Sequence, residues 1–453
     1  LSTMTRQSPR RLLGTSLPGA TLLLVLGLLL ACGGDESPSP ERDMNDVGVN
    51  HDDASDNSQG PDEPAPPAQP APAALQDWDC PDGWLSQPAM DEAVEGLDPF
   101  TVCRPPALPE QCPPGFMPLV GNTECVRQGI ACPEEDDWHD EATIRGRAQN
   151  FGGAVWYVSP DGDAELGDGS RGAPLATMDA AMGQAADGDI IALGLGQFDE
   201  SIEVERSLAL VGSCVGGTTL VADTPSDDAA VLNLAAREPV HVSDLTISGA
   251  RKGIQMEGPG QASVQAVAIV EATNYGVQVI GDGVSETRMV MEDVTIVRTQ
   301  PRLSDNSRGR GLQLQDRATV DVTRGWFDGN HNVGVIVFDG GSLLQMWDVA
   351  ITNTQPDQSS NADGKGVEVQ LGGAVEITRG LIDRNHDQGV AVLDGASALT
   401  MEDAAITNTM PRPSDMTEGD GITITGGEVE LTRVLVDSNR DSGIGVGGEE
   451  SVL

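Results

Sequence analysis

From Gly253 to Leu453 one short phrase keeps returning: a glycine, an apolar residue, any residue, and a second apolar residue. Its copies begin at Gly253, Gly276, Gly311, Gly334, Gly366, Gly389, Gly421 and Gly443, spaced 23, 35, 23, 32, 23, 32 and 22 residues apart. The apolar pairs run from Ile254 and Met256 to Ile444 and Val446 and are mostly β-branched. Alternation with a period of two predicts a short strand that turns the same face inward in every copy. A fixed longer period of about 22 residues predicts that these strands stack, one per coil, as a β-solenoid.

Every second coil is lengthened at one place, over 299–310, 354–365 and 409–420, each time after a matching strand such as Asp293-Val294-Thr295-Ile296. Insertions at one fixed point of a stacked repeat must emerge as a column of loops on one side, where repeat proteins bind. The working face is therefore expected around Asp305, Arg308, Arg310, Asp357, Asp363, Lys365, Asp415 and Asp420.

The solenoid is read over 152–453, with strand, loop, helix and strand from Trp156 to Leu193. Met178, Ala181, Met182 and Ala185 follow i, i+3, i+4, i+7 spacing within 175–186, one apolar face of a short helix that caps the open end of the rod. The run 156–220, with Ser207-Leu208-Ala209-Leu210-Val211-Gly212 and the coils after it, resembles the right-handed parallel β-helix proteins of the pectin lyase-like superfamily over about 300 residues. That resemblance implies an all-β fold with three parallel sheets around a narrow apolar core. Its members include polysaccharide lyases and glycoside hydrolases, beside surface proteins with no established activity. Of the polygalacturonase motifs only Asn361-Ala362-Asp363-Gly364 faintly matches, and the alginate epimerase run Asp-Pro-His-Asp is absent. The repeat speaks for the fold and says little about function.

Ahead of the solenoid the pattern changes three times. Residues 1–32 combine Arg6, Arg10 and Arg11 with a leucine-rich run, an export signal. Its end, Leu29-Leu30-Ala31-Cys32-Gly33, resembles the bacterial lipobox, which implies that Cys32 is lipidated and anchors the chain to a membrane. Gly33, where an aspartate would signal inner-membrane retention, points to the outer membrane or the cell surface. Residues 33–77 are acidic and proline-rich and read as a disordered tether. Residues 78–151 carry Cys80, Cys103, Cys112, Cys125 and Cys132 among Pro-Gly turns, a small disulfide module in an exported chain. Five is odd, and Cys214 in the rod is the remaining candidate; it either stitches the module to the rod or stays a buried thiol, and six cysteines allow 15 pairings. The chain stops ten residues into a coil, so the natural protein is expected to continue past Leu453.

Composition then narrows the partners. A formal charge of −45 repels nucleic acid, and among the basic residues only Lys252 and Lys365 are lysine. A second repeated phrase places Asp328, Asp383 and Asp437 in register, each two residues before Asn330, Asn385 or Asn439. The aspartates are the weak catalytic candidates, about 10 Å apart at two strand spacings. The competing reading is turn chemistry, with each asparagine left-handed and paired with its own copies in a ladder. The loop 161–169 is oxygen-rich enough to take Ca²⁺, although Leu166 stands where an EF-hand needs glycine, and a solvated turn is favoured. No other cofactor is expected. The sequence reading is a lipid-anchored binding or display scaffold for a glycan or a protein partner. The alternative is a lyase or hydrolase acting on polysaccharide. Oligomeric state is left open.

Overall fold

The computed structural model describes residues 79–88, 101–222, 224–448 and 450–453. The export signal, Cys32 and the tether lie outside the described residues. Within them two parallel ladders build a single rod. The first stacks short strands, among them Lys252–Glu257, Tyr275–Ile280, Arg310–Gln315, Val333–Val337, Lys365–Val369, Gln388–Val392 and Asp420–Ile424. The second stacks strands of 10 or 11 residues, from Val240–Gly249 to Gly427–Asp437. Each repeated phrase is one short strand. Register runs Ile254 to Val277, Leu312, Val335, Val367, Val390, Ile422 and Ile444, one residue per coil.

The phrase glycine is there for space. A Cβ on Gly253 would lie 2.4 Å from the carbonyl oxygen of Gly276, and one on Gly276 would lie 2.7 Å from that of Gly311. The contact repeats down the column to Gly421, so successive coils meet where no side chain fits. The apolar residues that follow point into one continuous core, with Val277, Leu312, Val335, Val367, Val390 and Ile422 fully buried.

The resemblance implies three sheets, and the rod has its three walls from two ladders. Each long strand bends once, at a residue in the left-handed region: Asp244, Ala266, Asp293, Arg324, Asp348, Arg379, Asp403 and Arg433, with φ from 52° to 57°. The bend residue drops out of the register, Glu292 facing Thr323 and Val294 facing Gly325 while Asp293 and Arg324 are skipped. From Asp293 onward aspartate and arginine alternate down this corner and pair across coils, Arg324 to Asp293 at 2.6 Å and Arg379 to Asp348 at 2.8 Å. The arginines at 54- and 55-residue spacing are thus the partners of left-handed aspartates one coil away.

At the first coils the helix spans Met178–Gln184, shorter than its apolar pattern, and Thr177 caps it by accepting from the Ala180 amide at 3.2 Å. Leu175 is excluded from the helix because it bridges Val158 instead. Met178, Ala181 and Ala185 join the core and cover its end.

The cysteine-rich module carries two disulfides of its own and packs along the rod. It runs as a strap over the outer face of the long-strand sheet, in the direction opposite to the coils. Trp84 and Val120 pack on Ala350, Leu381 and Ala405. Further along, Gln128 Nε2 donates to the carbonyls of Val267 and Asp293 at 2.9 and 2.7 Å. Trp138, Ile144 and Ala148 then cover Tyr157, Ile190, Ala192, Ala209 and Val211, and Trp138 donates to the Ala192 carbonyl. A second helix, Glu141–Arg147, lies here, capped by Asp140. Disulfides join Cys80 to Cys103, Cys112 to Cys125, and Cys132 to Cys214, the last linking strap and rod.

Two outcomes follow from this packing. Gly334→Ala would push a Cβ to 2.7 Å from both the Gly366 carbonyl oxygen and Ile351 Cγ2, and overpacking of this kind costs about 1–3 kcal/mol, read as a lower urea midpoint. His241 is buried in the long-strand sheet, 3.3 Å from Ser263 Oγ, and burial, helped by the Arg147 charge, lowers its pKa to about 4. Because the unfolded chain binds this proton from about pH 6.5 and the folded rod only near 4, stability falls as pH drops through that window, by about 3 kcal/mol. The stability of His241→Gln relative to the parent should therefore improve steadily between pH 7 and pH 4, measured by urea unfolding.

Candidate functional site

The three insertions do form a column. They share one backbone, with left-handed residues at Asn306, Asn361 and Met416 and again at Arg308, Asp363 and Glu418. They also touch in sequence: the Arg308 amide donates to Asp357 Oδ2 at 2.8 Å, and the Ser414 amide to the Asn361 carbonyl at 3.0 Å. Asp227, which has no partner evident in the sequence, closes the head of the column by accepting from the amides of Leu303 and Ser304 at 2.6 and 3.0 Å. An open cleft of about 740 Å³ lies there, bounded by Gly249, Thr273, Gln300, Leu303, Asn306 and Gln358.

Most residues expected on the binding face build the loops. Asp305 pairs with Arg302 and accepts from Ser307, and the Arg302 guanidinium holds its carboxyl well below the usual carboxylate range. Asp415 does the same for Thr417 and Arg412. Asp357 is buried and ties the first loop to the second. Lys365 sits among Asp363, Glu368 and Asp387 at 2.5, 3.2 and 3.3 Å; burial alone would lower its pKa, and the three carboxylates raise it instead. Asp420 accepts from the Ser442 amide at 3.0 Å. Arg308 and Arg310 differ. Arg308 Nη1 donates to the Tyr275 hydroxyl, and Arg310 donates to Asn332 Oδ1 at 2.9 Å and Gln313 Oε1 at 2.6 Å, its guanidinium 5.4 Å from the centre of the Phe338 ring.

The second repeated phrase is structural in its details. Asp328 Oδ1 accepts from Thr352 Oγ1 at 2.7 Å and Asn353 Nδ2 at 2.6 Å, and Asp383 repeats this with Thr407 and Asn408 at 2.8 Å each. Asp437 pairs with Arg104 of the strap, which lowers its pKa. The three carboxylates are held by neighbouring coils and the strap and do not converge on one open point. The asparagines are neither left-handed nor laddered. Asn385 is buried, accepts from the Thr354 amide at 2.9 Å and donates to the Ile351 carbonyl at 3.0 Å, and Asn330 does the same one long loop earlier. Each one pins the take-off of a long loop, which is why it recurs every second coil. His331 and His386 hold the same loops through the carbonyls of Thr299 and Thr354. In the loop 161–169, Asp163 accepts from the amides of Glu165 and Leu166 and Asp168 from Ser170, so these carboxylates cap their own turns. Among the described residues no group of three or more His, Cys, Asp or Glu is placed to hold a metal.

Lys252, Tyr275, Gln278 and Phe338 escape the sequence reading. The signal was present: the residue before each phrase glycine faces out of the short-strand sheet, and Lys252, Tyr275, Arg310, Lys365 and Asp420 all occupy that position.

No family profile and no curated protein matches the chain. The fold is a parallel β-helix. Solved structures similar to it include pectate lyase Pel9A, with 16% identity and a TM-score of 0.45 over 66% of this chain and 78% of that one. A rhamnogalacturonan lyase is similar with 13% identity and a TM-score of 0.35, over 66% and 87% of the two chains. Pectin methylesterase PemA from Erwinia chrysanthemi is similar with 12% identity and a TM-score of 0.31, over 63% and 92%. The likeness is one of fold.

Replacing Asn385 by alanine strands a buried amide and a buried carbonyl, each costing about 1–3 kcal/mol. Unfolding by urea should show a loss of about 3 kcal/mol for Asn385→Ala, and Asn385→Asp should lose less than this only at low pH, where a protonated carboxyl keeps the acceptor for Thr354 and can donate to the Ile351 carbonyl.

Proposed function

We propose that this chain is a lipid-anchored cell-surface scaffold, held through Cys32 in the bacterial outer membrane or at the cell surface, that binds glycan on the loop-bearing side of its β-helix. The observation that carries the reading is a division of labour. The candidate acids Asp328, Asp383 and Asp437 are engaged by neighbouring coils and the strap. The outer face of the short-strand sheet beside the loops presents arginine, amide and aromatic groups instead, with Arg310 bonded to Gln313 and beside the Phe338 ring, and Arg308 bonded to Tyr275. Planar donors, amides and rings are the groups that hold sugars in shallow sites. A polysaccharide lyase or hydrolase would need a free acid and base on that face, and the carboxylates nearest to it bond to loop residues.

The test uses the full chain, recovered in detergent, on a panel of polysaccharides. Binding to some members without release of shortened or unsaturated products is expected, and replacing 302–308 with a glycine-serine loop should weaken it at least tenfold while the melting curve of the rod is kept. Product release that is lost in Asp383→Asn would decide for the enzyme. Separately, Cys32→Ser should abolish labelling by a fatty-acid analogue and free the chain from the membrane fraction; unchanged labelling would remove the anchor from the proposal.

A further inference from the structure

The chain carries 71 acidic residues against 26 basic ones, and more than half of the arginines among the described residues are paired with carboxylates in place, Arg147, Arg171, Arg298, Arg302, Arg379 and Arg433 among them. Among the described cations outside these pairs, three lie together. Lys252, Tyr275 and Arg310 follow one another across adjacent short strands at the outward position before the phrase glycine. Arg308 reaches over from the first long loop. Lys252 Nζ and Arg308 Cζ each lie 5.7 Å from the centre of the Tyr275 ring, and Arg308 also bonds the Tyr275 hydroxyl. Among the described residues none of the three cations forms an ion pair. Their polar contacts are neutral: Gln255 for Lys252, Tyr275 for Arg308, Asn332 and Gln313 for Arg310. Burial and the Arg308 charge both lower the pKa of Lys252 and of Arg310, while Asp228, Glu257, Glu368 and Asp363 oppose this from beyond ion-pair distance.

Beside the cations are two buried oxygens without a hydrogen-bond partner, Asn274 Oδ1 and Gln278 Oε1. Unpaired buried acceptors cost free energy unless a donor reaches them. The same backbone recurs twice without this chemistry. At the positions of Arg308 and Arg310 the second loop has Asp363 and Lys365, which pair with each other, and the third has Glu418 and Asp420, both acidic. The cationic cluster therefore belongs to the first loop and is no by-product of the repeat.

We infer that Lys252, Tyr275, Arg308 and Arg310 form an oxyanion site for an acidic sugar, its carboxylate or sulfate taken by the cations and its hydroxyls donated to Asn274 and Gln278. This rests on the glycan-binding reading above and names the class of sugar. Fixed guanidinium forks suit a planar carboxylate or a sulfate, and a desolvated site strengthens such bonds.

Titration calorimetry on the full chain with four probes tests it: a uronate oligosaccharide, the same oligosaccharide after carboxyl reduction, a sulfated disaccharide, and inorganic phosphate. The uronate or the sulfated probe should bind at least tenfold tighter than the reduced one. Arg310→Gln and Arg308→Gln should each erase most of that difference by weakening the acidic probe far more than the reduced one, and Arg310→Lys should restore part of it. Preference for the sulfated probe over the uronate assigns sulfate as the anion and keeps the site. Equal binding of acidic and reduced probes overturns the oxyanion site and leaves glycan binding standing. Binding of phosphate with no sugar bound overturns the acidic-sugar assignment, and no binding of any oligosaccharide removes the glycan reading as well.

Discussion

Everything in this rod depends on how closely one coil's main chain lies on the next at the head of the short strands. There the glycine of one coil meets the carbonyl of the glycine in the next, with 2.4 to 2.7 Å left for any Cβ at the contacts from Gly253 to Gly421. The closeness fixes the register, and with it which residues of each strand point inward. A one-residue slip would turn Val335 and Val337 out and bring Ile336 in, along with its neighbours Gln313 and Glu368 in the other coils. Placing an amide or a carboxylate in a core otherwise lined by Val, Leu and Ile carries a penalty at every coil. Because each coil rests on its neighbours, that penalty would be repeated along the stack.

The second constraint explains why the unit of this solenoid is two coils. A long loop needs its first amide and the preceding carbonyl satisfied inside the rod, and Asn330, Asn385 and Asn439 do this from the following, shorter coil. Aspartates at 328 and 383 bond forward to the Thr and Asn that begin the next long loop. At the opposite corner, left-handed Asp293, Asp348 and Asp403 are each answered by an arginine in the next coil. Long and short coils therefore form reciprocal pairs, and the spacings near 55 residues are the length of one pair.

The stacking phrase was legible because glycine and alternating β-branched residues have one economical arrangement at that period. The corner was not, since its residues are aspartate in one coil and arginine in the next, and only their pairing across coils shows a common position. The strap was hidden for a different reason. Residues 101–151 have almost no periodicity, and they attach through single side chains such as Gln128, Trp138 and Val120 to surfaces that exist only after the coils have stacked. As for the working face, the expected loop residues include many that are structural. Asp305 and Asp415 recur at one loop position, yet their repetition reflects the turn they stabilise, and Asp357, at the place of Arg302 and Arg412, stabilises the turn of its own loop.

That distinction bears on how a repeat protein acquires a site. Positions needed to build the coil keep their chemistry from copy to copy, as with glycine before the core pair and asparagine under the loop. Positions free to change are those facing outward beside the loops, and there the copies diverge, from Arg308 and Arg310 through Asp363 and Lys365 to Glu418 and Asp420. At about 4.8 Å per coil, the four steps from Arg310 to Asp420 carry the face from cationic to acidic within about 20 Å. A uniform scaffold with a graded surface orients an elongated ligand along its axis, because only one direction of lying down matches charge at both ends.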